Sequence, residues 1–306
     1  VLILCSGIIE LAKNTNIYAV PIASGLCFMI WGLYFWLKSS HNNLNKFYLI
    51  VGSFFMALVF GCRPQLGISS LLVFFIFNKN SKNYKDIIIG ILPFIIIGTL
   101  LMYYNYARFG SILDFGSNYN LTVNDMTNRG FKFDRIGLGL FTYLIQPVNV
   151  TGTFPYISSV HTSFNYLGRT VYEQTFGGLF TWFPLGFLTI FIYKIKKYFT
   201  NIRIYYLSIL LSLFSLIIIL FDTQCAGILQ RYFADFSIFI LMSTVFCILT
   251  LINAIKNKNL HYFIFIFCLI GIIYSLMLVF VQDFAAIEIY NLDFYYKWYY
   301  LLQPWL

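Results

Sequence analysis

Three arginines stand at the edges of long apolar runs, where a charge is costly and usually functional. Arg63 lies in Arg63-Pro64-Gln65, between two short apolar runs. Arg108 lies in Tyr106-Ala107-Arg108-Phe109-Gly110-Ser111, just after a long run. Arg231 opens another, in Gln230-Arg231-Tyr232-Phe233-Ala234-Asp235-Phe236. A guanidinium is a planar fork that grips a carboxylate or phosphate through two parallel hydrogen bonds. The sharper expectation is that Arg63, Arg108 and Arg231 converge on a phosphate. The plainer one is ion pairing with Asp114, Asp125, Asp134, Glu173 and Asp235. Arg231 and Asp235 are four residues apart, so a continuous α-helix would put them on one face.

Other side chains with chemical potential are sparse. His161 is a candidate for catalysis or binding, although a lone loop histidine is more often incidental. Asp114, Tyr232, Asp235 and Glu173 join it as possible substrate-binding or structural residues. No GxGxxG, GxxxxGK[ST], HExxH or GxSxG motif is present. The six cysteines form no CxxC or Cys/His cluster, so no metal site is expected, and a divalent ion would have no visible ligand set. Within apolar runs, cysteine behaves as a small hydrophobe.

The elements that must position these residues follow from composition. Of 306 residues, 60% are hydrophobic, 21% aromatic and only 10% charged. Mean hydropathy is +0.78. Soluble domains carry about 25% charged residues, so this chain could not cover a water-exposed surface. A soluble enzyme, a disordered chain and a nucleic-acid-binding domain are excluded despite the net charge of +9.

Apolar runs at 17–37, 47–62, 65–78, 86–104, 176–193, 204–221, 232–253 and 261–282 predict an all-α transmembrane bundle of about eight spans. The two short runs flanking Arg63-Pro64 predict a hairpin over 47–78, because proline ends or kinks a helix. The opening Val1–Leu11 reads as the tail of a partial first span that begins before Val1. The whole chain reads as one membrane domain. Residues 1–104 are helical, 105–175 form a long outer segment, and 176–306 hold further helices and an outer tail. The outer segment is 71 residues long and rich in Asn, Gly, Ser, Thr and Tyr. Its apolar stretches predict short helices lying on the membrane surface. A polar ordered loop above a bundle is a good substrate platform.

Charge sets the orientation. Lysines cluster at 38–46, 79–85, 194–203 and 256–258. With the hairpin counted as two crossings, all four clusters fall on one side. That side holds eleven basic residues and one acid, Asp86, while the other is near neutral. By the positive-inside rule the lysine side is cytoplasmic and residues 105–175 are extracytoplasmic. Six of the seven arginines fall on the outer side or at its membrane edge. The +9 is therefore a topology signal.

The segment Tyr104-Asn105-Tyr106-Ala107-Arg108-Phe109-Gly110-Ser111-Ile112-Leu113-Asp114-Phe115-Gly116 resembles the N-Y-x-R-F-G-S-P-x-E-F-G segment of bacterial multispanning proteins related to the protein mannosyltransferases, in the GT-C glycosyltransferase superfamily. The Arg63-Pro64 turn and the Arg231-Tyr232 start of a late helix are similar to theirs. The resemblance runs from about residue 47 to 250. Ile112-Leu113 replaces the common proline and its neighbour, and Asp114 replaces glutamate. It implies a bacterial plasma-membrane enzyme that moves a sugar from a polyprenyl-phosphate donor to a glycan or protein acceptor outside the cytoplasm, with inversion. In such enzymes the catalytic base is an acid in the first outer loop. That base is expected before Val1, so no residue here is assigned to it. Arg63, Arg108 and Arg231 would serve the donor phosphate. Tyr119, Tyr156, Tyr166, Tyr172 and Trp182 could stack on sugar rings, or anchor the interface.

Other functions fit the same outline. A flippase or transporter for a lipid-linked glycan would favour internal repeats and broken helices near the midplane, and no repeat is visible. A polysaccharide polymerase or ligase would also use a large outer loop and arginines. A non-enzymatic assembly protein is the fourth reading.

Overall fold

The computed structural model describes the chain except residues 14–16, 41–43, 78–83, 117–129, 167–168, 226, 282–288, 290 and 304–306, and for 161–173 it describes the backbone alone. The chain divides into two compact units, one of residues 1–19 and 130–306, the other of residues 20–129.

Helix α1 (Ile8–Lys13) belongs to the first unit. The second unit is built from α2 (Ala19–Ser40), α3 (Lys46–Cys62), a 3-10 helix over Pro64–Leu72 with the short α4 (Val73–Ile76), and α5 (Tyr84–Phe109). Asn45 starts α3 by accepting from the backbone N–H groups of Phe47 and Tyr48. The helix stops at Arg63 because Pro64 follows; Pro64 then takes the first position of the 3-10 turn, where its missing N–H costs nothing. Small residues let α2 and α3 approach closely: a Cβ on Gly52 would stand 2.5 Å from Trp36 Cδ1. Trp36 is fully buried there and donates its indole N–H to Ser53 Oγ at 3.1 Å. Helix α5 packs on α3, yet only 6% of its most apolar stretch is buried. A row of exposed Ile and Leu on such a helix is what lipid contact requires.

In the first unit, α6 (Asp134–Leu140) runs into a π turn over Phe141–Ile145. Two antiparallel hairpins follow: β1 (Asn149–Val150) with β2 (Ile157–Ser158), and β3 (Val160–Tyr166) with β4 (Arg169–Thr175). This corrects the expectation that 105–175 would fold into short helices alone. The sequence of β3 alternates Val160, Thr162, Phe164 and Tyr166 with polar residues, and that period of two selects a strand.

The chain continues through α7 (Leu179–Trp182), a 3-10 turn over Pro184–Thr189, α8 (Ile192–Ile195), α9 (Ile202–Cys225), a 3-10 turn over Gln230–Tyr232, α10 (Phe233–Ala254), α11 (Lys258–Met277) and α12 (Leu292–Leu302). Helix α10 is the core of this unit, with 67% of its apolar window buried. It packs along α9 through small polar residues: Ser212 Oγ donates to Ser243 Oγ at 3.0 Å, and Ser215 Oγ to Phe236 O at 3.0 Å. Such residues let apolar helices approach and bond in lipid.

The chain is a helical membrane protein. Among the described residues, five helices are long and apolar enough to cross a bilayer: α2, α5, α9, α10 with its leading turn, and α11 with the turn after it. Three expected spans take other forms. Run 47–62 gives α3, whose 17 residues reach about 26 Å at 1.5 Å per residue, short of the roughly 30 Å core. Run 65–78 becomes largely 3-10 helix, and run 176–193 is broken into pieces. Pro184 supplies no N–H to continue α7. Gly186 lies so close to Phe180 that a Cβ there would stand 2.6 Å from its ring.

Candidate functional site

Helices α5 and α10 each separate the two kinds of basic residue. Lys85 and Asp86 lie in the first turn of α5 and Arg108 in its last. Arg231 lies just before α10, while Lys256 and Lys258 lie beyond its far end. Asp86 is an acid on the lysine end of α5, and it pairs with Lys46 at 3.7 Å. The arginine ends are arranged differently.

Arg231 lies in the 3-10 turn that leads into α10. Its guanidinium carbon sits 5.1 Å from the centre of the Tyr18 ring and 5.3 Å from that of Tyr232. Its Nε is buried and, among the described residues, finds no hydrogen-bond acceptor. Among the described residues, Arg231 does not form the expected ion pair with Asp235. A 3-10 turn advances about 120° per residue rather than 100°, so Arg231 is rotated off the face that carries Asp235. Asp235 is fully buried inside the first unit. The structure therefore brings Arg231 and Tyr232 together with Tyr18, a partner far away in sequence, and leaves Asp235 in the core.

Arg63 and Arg108 belong to the second unit. The stem of Arg63 packs against Gly25 of α2, where a Cβ would stand 3.2 Å from Arg63 Cβ. Arg108 is exposed; it donates from Nη1 to the Tyr104 hydroxyl at 2.7 Å, and its head lies 4.9 Å from the Phe109 ring centre. Among the described residues, no carboxylate pairs with Arg108. Asp114 serves its own turn by accepting from Gly116 N at 2.7 Å. Gly116 takes φ +80° there, a conformation suited to glycine.

His161 and Glu173 fall on the second hairpin, where His161 is opposite Gln174 and Glu173 opposite Thr162. Their side chains lie outside the described residues, as do those of Tyr166, Arg169 and Tyr172, and all of Tyr119, Asp125 and Arg129. Trp182 is buried and stacked on Tyr274, with ring centres 5.0 Å apart and planes 9° apart. It is a core residue with no face open to a sugar. Tyr156 is also committed, donating its hydroxyl to Leu302 O at 2.6 Å.

Sequence reasoning gave little weight to other buried charges. Glu10, Arg135 and Asp222 are all buried in the first unit. Arg135 donates to the backbone carbonyls of Gly130 and Gln224, both at 3.3 Å, and so ties α6 to the end of α9. It stands beside Asp134 at the start of a short helix in the polar outer segment, and its position gave no sign of burial. Asp222 did carry a signal, being an acid within the last turn of a long apolar run. A cluster of tyrosines on α12 was also passed over, although its spacing of four residues was visible.

Among the described residues, no group of three His, Cys, Asp or Glu side chains could hold a metal ion. Compared with models of protein families, with curated proteins and with solved structures, the chain matches none.

Proposed function

We propose that the chain is a membrane glycosyltransferase that moves a sugar from a polyprenyl-phosphate donor to an acceptor outside the cytoplasm. It would reside in a bacterial plasma membrane with its lysine-rich ends inside. The observation that carries this reading is Arg231: a half-buried cation, held by two tyrosine faces, with a buried N–H that finds no acceptor among the described residues. A buried donor without a partner costs roughly 1–3 kcal/mol, and an anionic ligand would satisfy it. The Arg-Phe-Gly-Ser resemblance at 108–111 adds support from the second unit.

In the proposed reaction the bond from the sugar's anomeric carbon to the phosphate oxygen breaks. Its electron pair stays on the phosphate. An acceptor oxygen or nitrogen bonds to that carbon from the opposite face and gives its proton to a base, which is not assigned to any residue of this chain. Arg231 would stabilise the charge gathering on the leaving phosphate, an effect that grows where water is excluded. Arg63 and Arg108 are further candidates for anion contact, each to be tested separately.

The test is transfer of radiolabelled sugar from a polyprenyl-phosphate donor by the reconstituted protein. Arg231→Ala should lower kcat/KM by about 100-fold, and Arg231→Lys should retain part of it. Unchanged transfer in Arg231→Ala would remove the phosphate role. The broken stretch at 179–198 favours a second reading, a transporter of the same lipid-linked glycan, since transporters often use discontinuous helices. Donor binding with flipping and no transfer would decide for it.

A further inference from the structure

A cleft of about 740 Å³ opens in the first unit between the turn at 151–159 and one face of α12. Ligand sites commonly occupy roughly 300–1,000 Å³. Four tyrosines at helical spacing form one wall. Tyr295 and Tyr299 stack with ring centres 6.3 Å apart, and Tyr296 and Tyr300 with centres 5.9 Å apart, both pairs inclined by 29°. Tyr295 is buried, whereas Tyr300 is 66% exposed and Tyr296 37%, so the second column offers open ring faces. Thr151, Thr153, Ser158 and Ser159 line the opposite wall; the Thr151 hydroxyl donates to Thr153 O at 3.1 Å, and Ser158 Oγ accepts from Asn149 Nδ2 at 2.6 Å.

The two walls are fastened together. Phe154 N donates to Gln303 Oε1 at 2.7 Å, and the Tyr156 hydroxyl donates to Leu302 O at 2.6 Å. The Phe154 ring packs on Phe280 and Tyr295, with centres 5.1 Å and 5.7 Å away. Tyr156 itself adopts φ +68°, left-handed backbone that a tyrosine rarely takes. Such a residue costs about 1–3 kcal/mol and persists only where its surroundings over-determine it. Here Thr151 N donates to Tyr156 O at 3.0 Å and Tyr156 N to Thr153 O at 2.7 Å. The cleft is thus preformed, with its shape held at some energetic cost.

We propose that this cleft binds a neutral carbohydrate chain. Among the described residues, its lining includes no charged side chain, which disfavours phosphates, nucleotides and uronic acids. An apolar ligand would cover the Thr153 and Ser159 hydroxyls and offer them no hydrogen bond in return. A neutral sugar presents flat C–H faces to the ring quadrupole and hydroxyls to the opposite wall. The site rests on its own geometry and stands whether or not the chain transfers sugar. The competing occupant is the lipid headgroup layer, where tyrosines often gather.

The test uses the full chain in nanodiscs and a panel of short neutral hexose and N-acetylhexosamine oligosaccharides. Acidic uronic oligomers serve as controls. Binding is read by calorimetry and by fluorescence of Trp298, whose ring centre is 6.3 Å from that of Phe280 beside the cleft. At least one neutral oligomer should bind and the acidic ones should not. The double variant Tyr296→Ala/Tyr300→Ala should weaken binding about 10-fold, and Tyr300→Phe should retain most of it. Absence of neutral-sugar binding would overturn the proposal. So would unchanged affinity in a double variant with native circular dichroism, or Trp298 quenching by headgroup-labelled lipid that the sugar does not relieve. No donor is present, so failure here is separate from failure of the transfer assay.

Discussion

The guanidinium of Arg231 lies over the ring of Tyr18, its carbon 5.1 Å from the ring centre, although the two belong to distant parts of the sequence. Tyr18 lies in the turn just before α2, and Arg231 opens α10. A cation over an aromatic face contributes about 0.5–2 kcal/mol, more when desolvated. The ring also sets where the guanidinium points, which matters more than its charge if it grips a phosphate.

Tyr18 should therefore act as a positioning residue for the donor. Tyr18→Leu should lower kcat/KM for the donor by about 2- to 30-fold, the equivalent of that interaction energy. Tyr18→Phe keeps the ring face and should lose less than Tyr18→Leu. Unchanged kcat/KM in Tyr18→Leu would show that the ring does not hold the arginine for the reaction.

Within the second unit, the approach of α2 to α3 depends on Gly52. A Cβ there would meet Trp36 Cδ1 at 2.5 Å and Gly32 O at 3.0 Å. Neither neighbour can yield easily, since one belongs to a buried indole tied to Ser53 and the other is backbone. Gly52→Ala should destabilise the protein by about 1–3 kcal/mol through overpacking. Gly98→Ala is the control, because a Cβ at Gly98 meets nothing within 4 Å. Thermal or SDS unfolding in micelles should separate the two variants, and equal stability would mean that the α2–α3 contact relaxes freely.

The place where the end of the π segment meets the end of β4 and the start of α7 is organised by one buried amide. Gln146 Oε1 accepts from the Thr175 hydroxyl at 3.0 Å, and Gln146 O accepts from Gly178 N at 2.8 Å and from the Thr181 hydroxyl at 3.0 Å. Gln146→Leu removes the side-chain acceptor and leaves a buried Thr175 hydroxyl with one partner fewer, Val160 O. A loss of about 1–3 kcal/mol is expected in the same unfolding assay. Thr175→Val should cost less in the Gln146→Leu background than in the native protein, because the bond between the two side chains is already gone. Equal costs in the two backgrounds would sink the account.

Helices α5 and α10 were legible because their apolar runs are long, unbroken and bounded by charge. The stretch 176–198 was not, because a hydropathy window counts Leu and Phe but is blind to the N–H that Pro184 lacks. The β3–β4 hairpin was hidden differently. Its polar residues read as loop, and only the alternation from Val160 to Tyr166 betrays a strand. At the candidate site, Arg231 announced itself as a charge at the start of an apolar helix. Its partner Tyr18 did not, since nothing local links the two. The 3-10 turn that separates Arg231 from Asp235 was equally hidden, because counting by four presupposes an α-helix.

The division of lysine and arginine between helix ends makes a last prediction about orientation. The 26 residues of α5 extend about 39 Å, enough to cross the roughly 30 Å core with tilt, so Lys85 and Arg108 would emerge on opposite sides. Lys194, Lys196 and Lys197 are exposed just before α9, and lysines next to spans are retained in the cytoplasm. Starting from a variant without cysteine, Thr200→Cys should react with a membrane-impermeant maleimide only after permeabilisation. Gly152→Cys should react in intact cells, since residue 152 is exposed and a side chain there meets nothing within 4 Å. The two sites lie on either side of the broken 179–198 stretch. Labelling of both from one side would mean that this stretch does not cross the bilayer, and the reading of an outer Arg231 and an inner lysine face would fail with it.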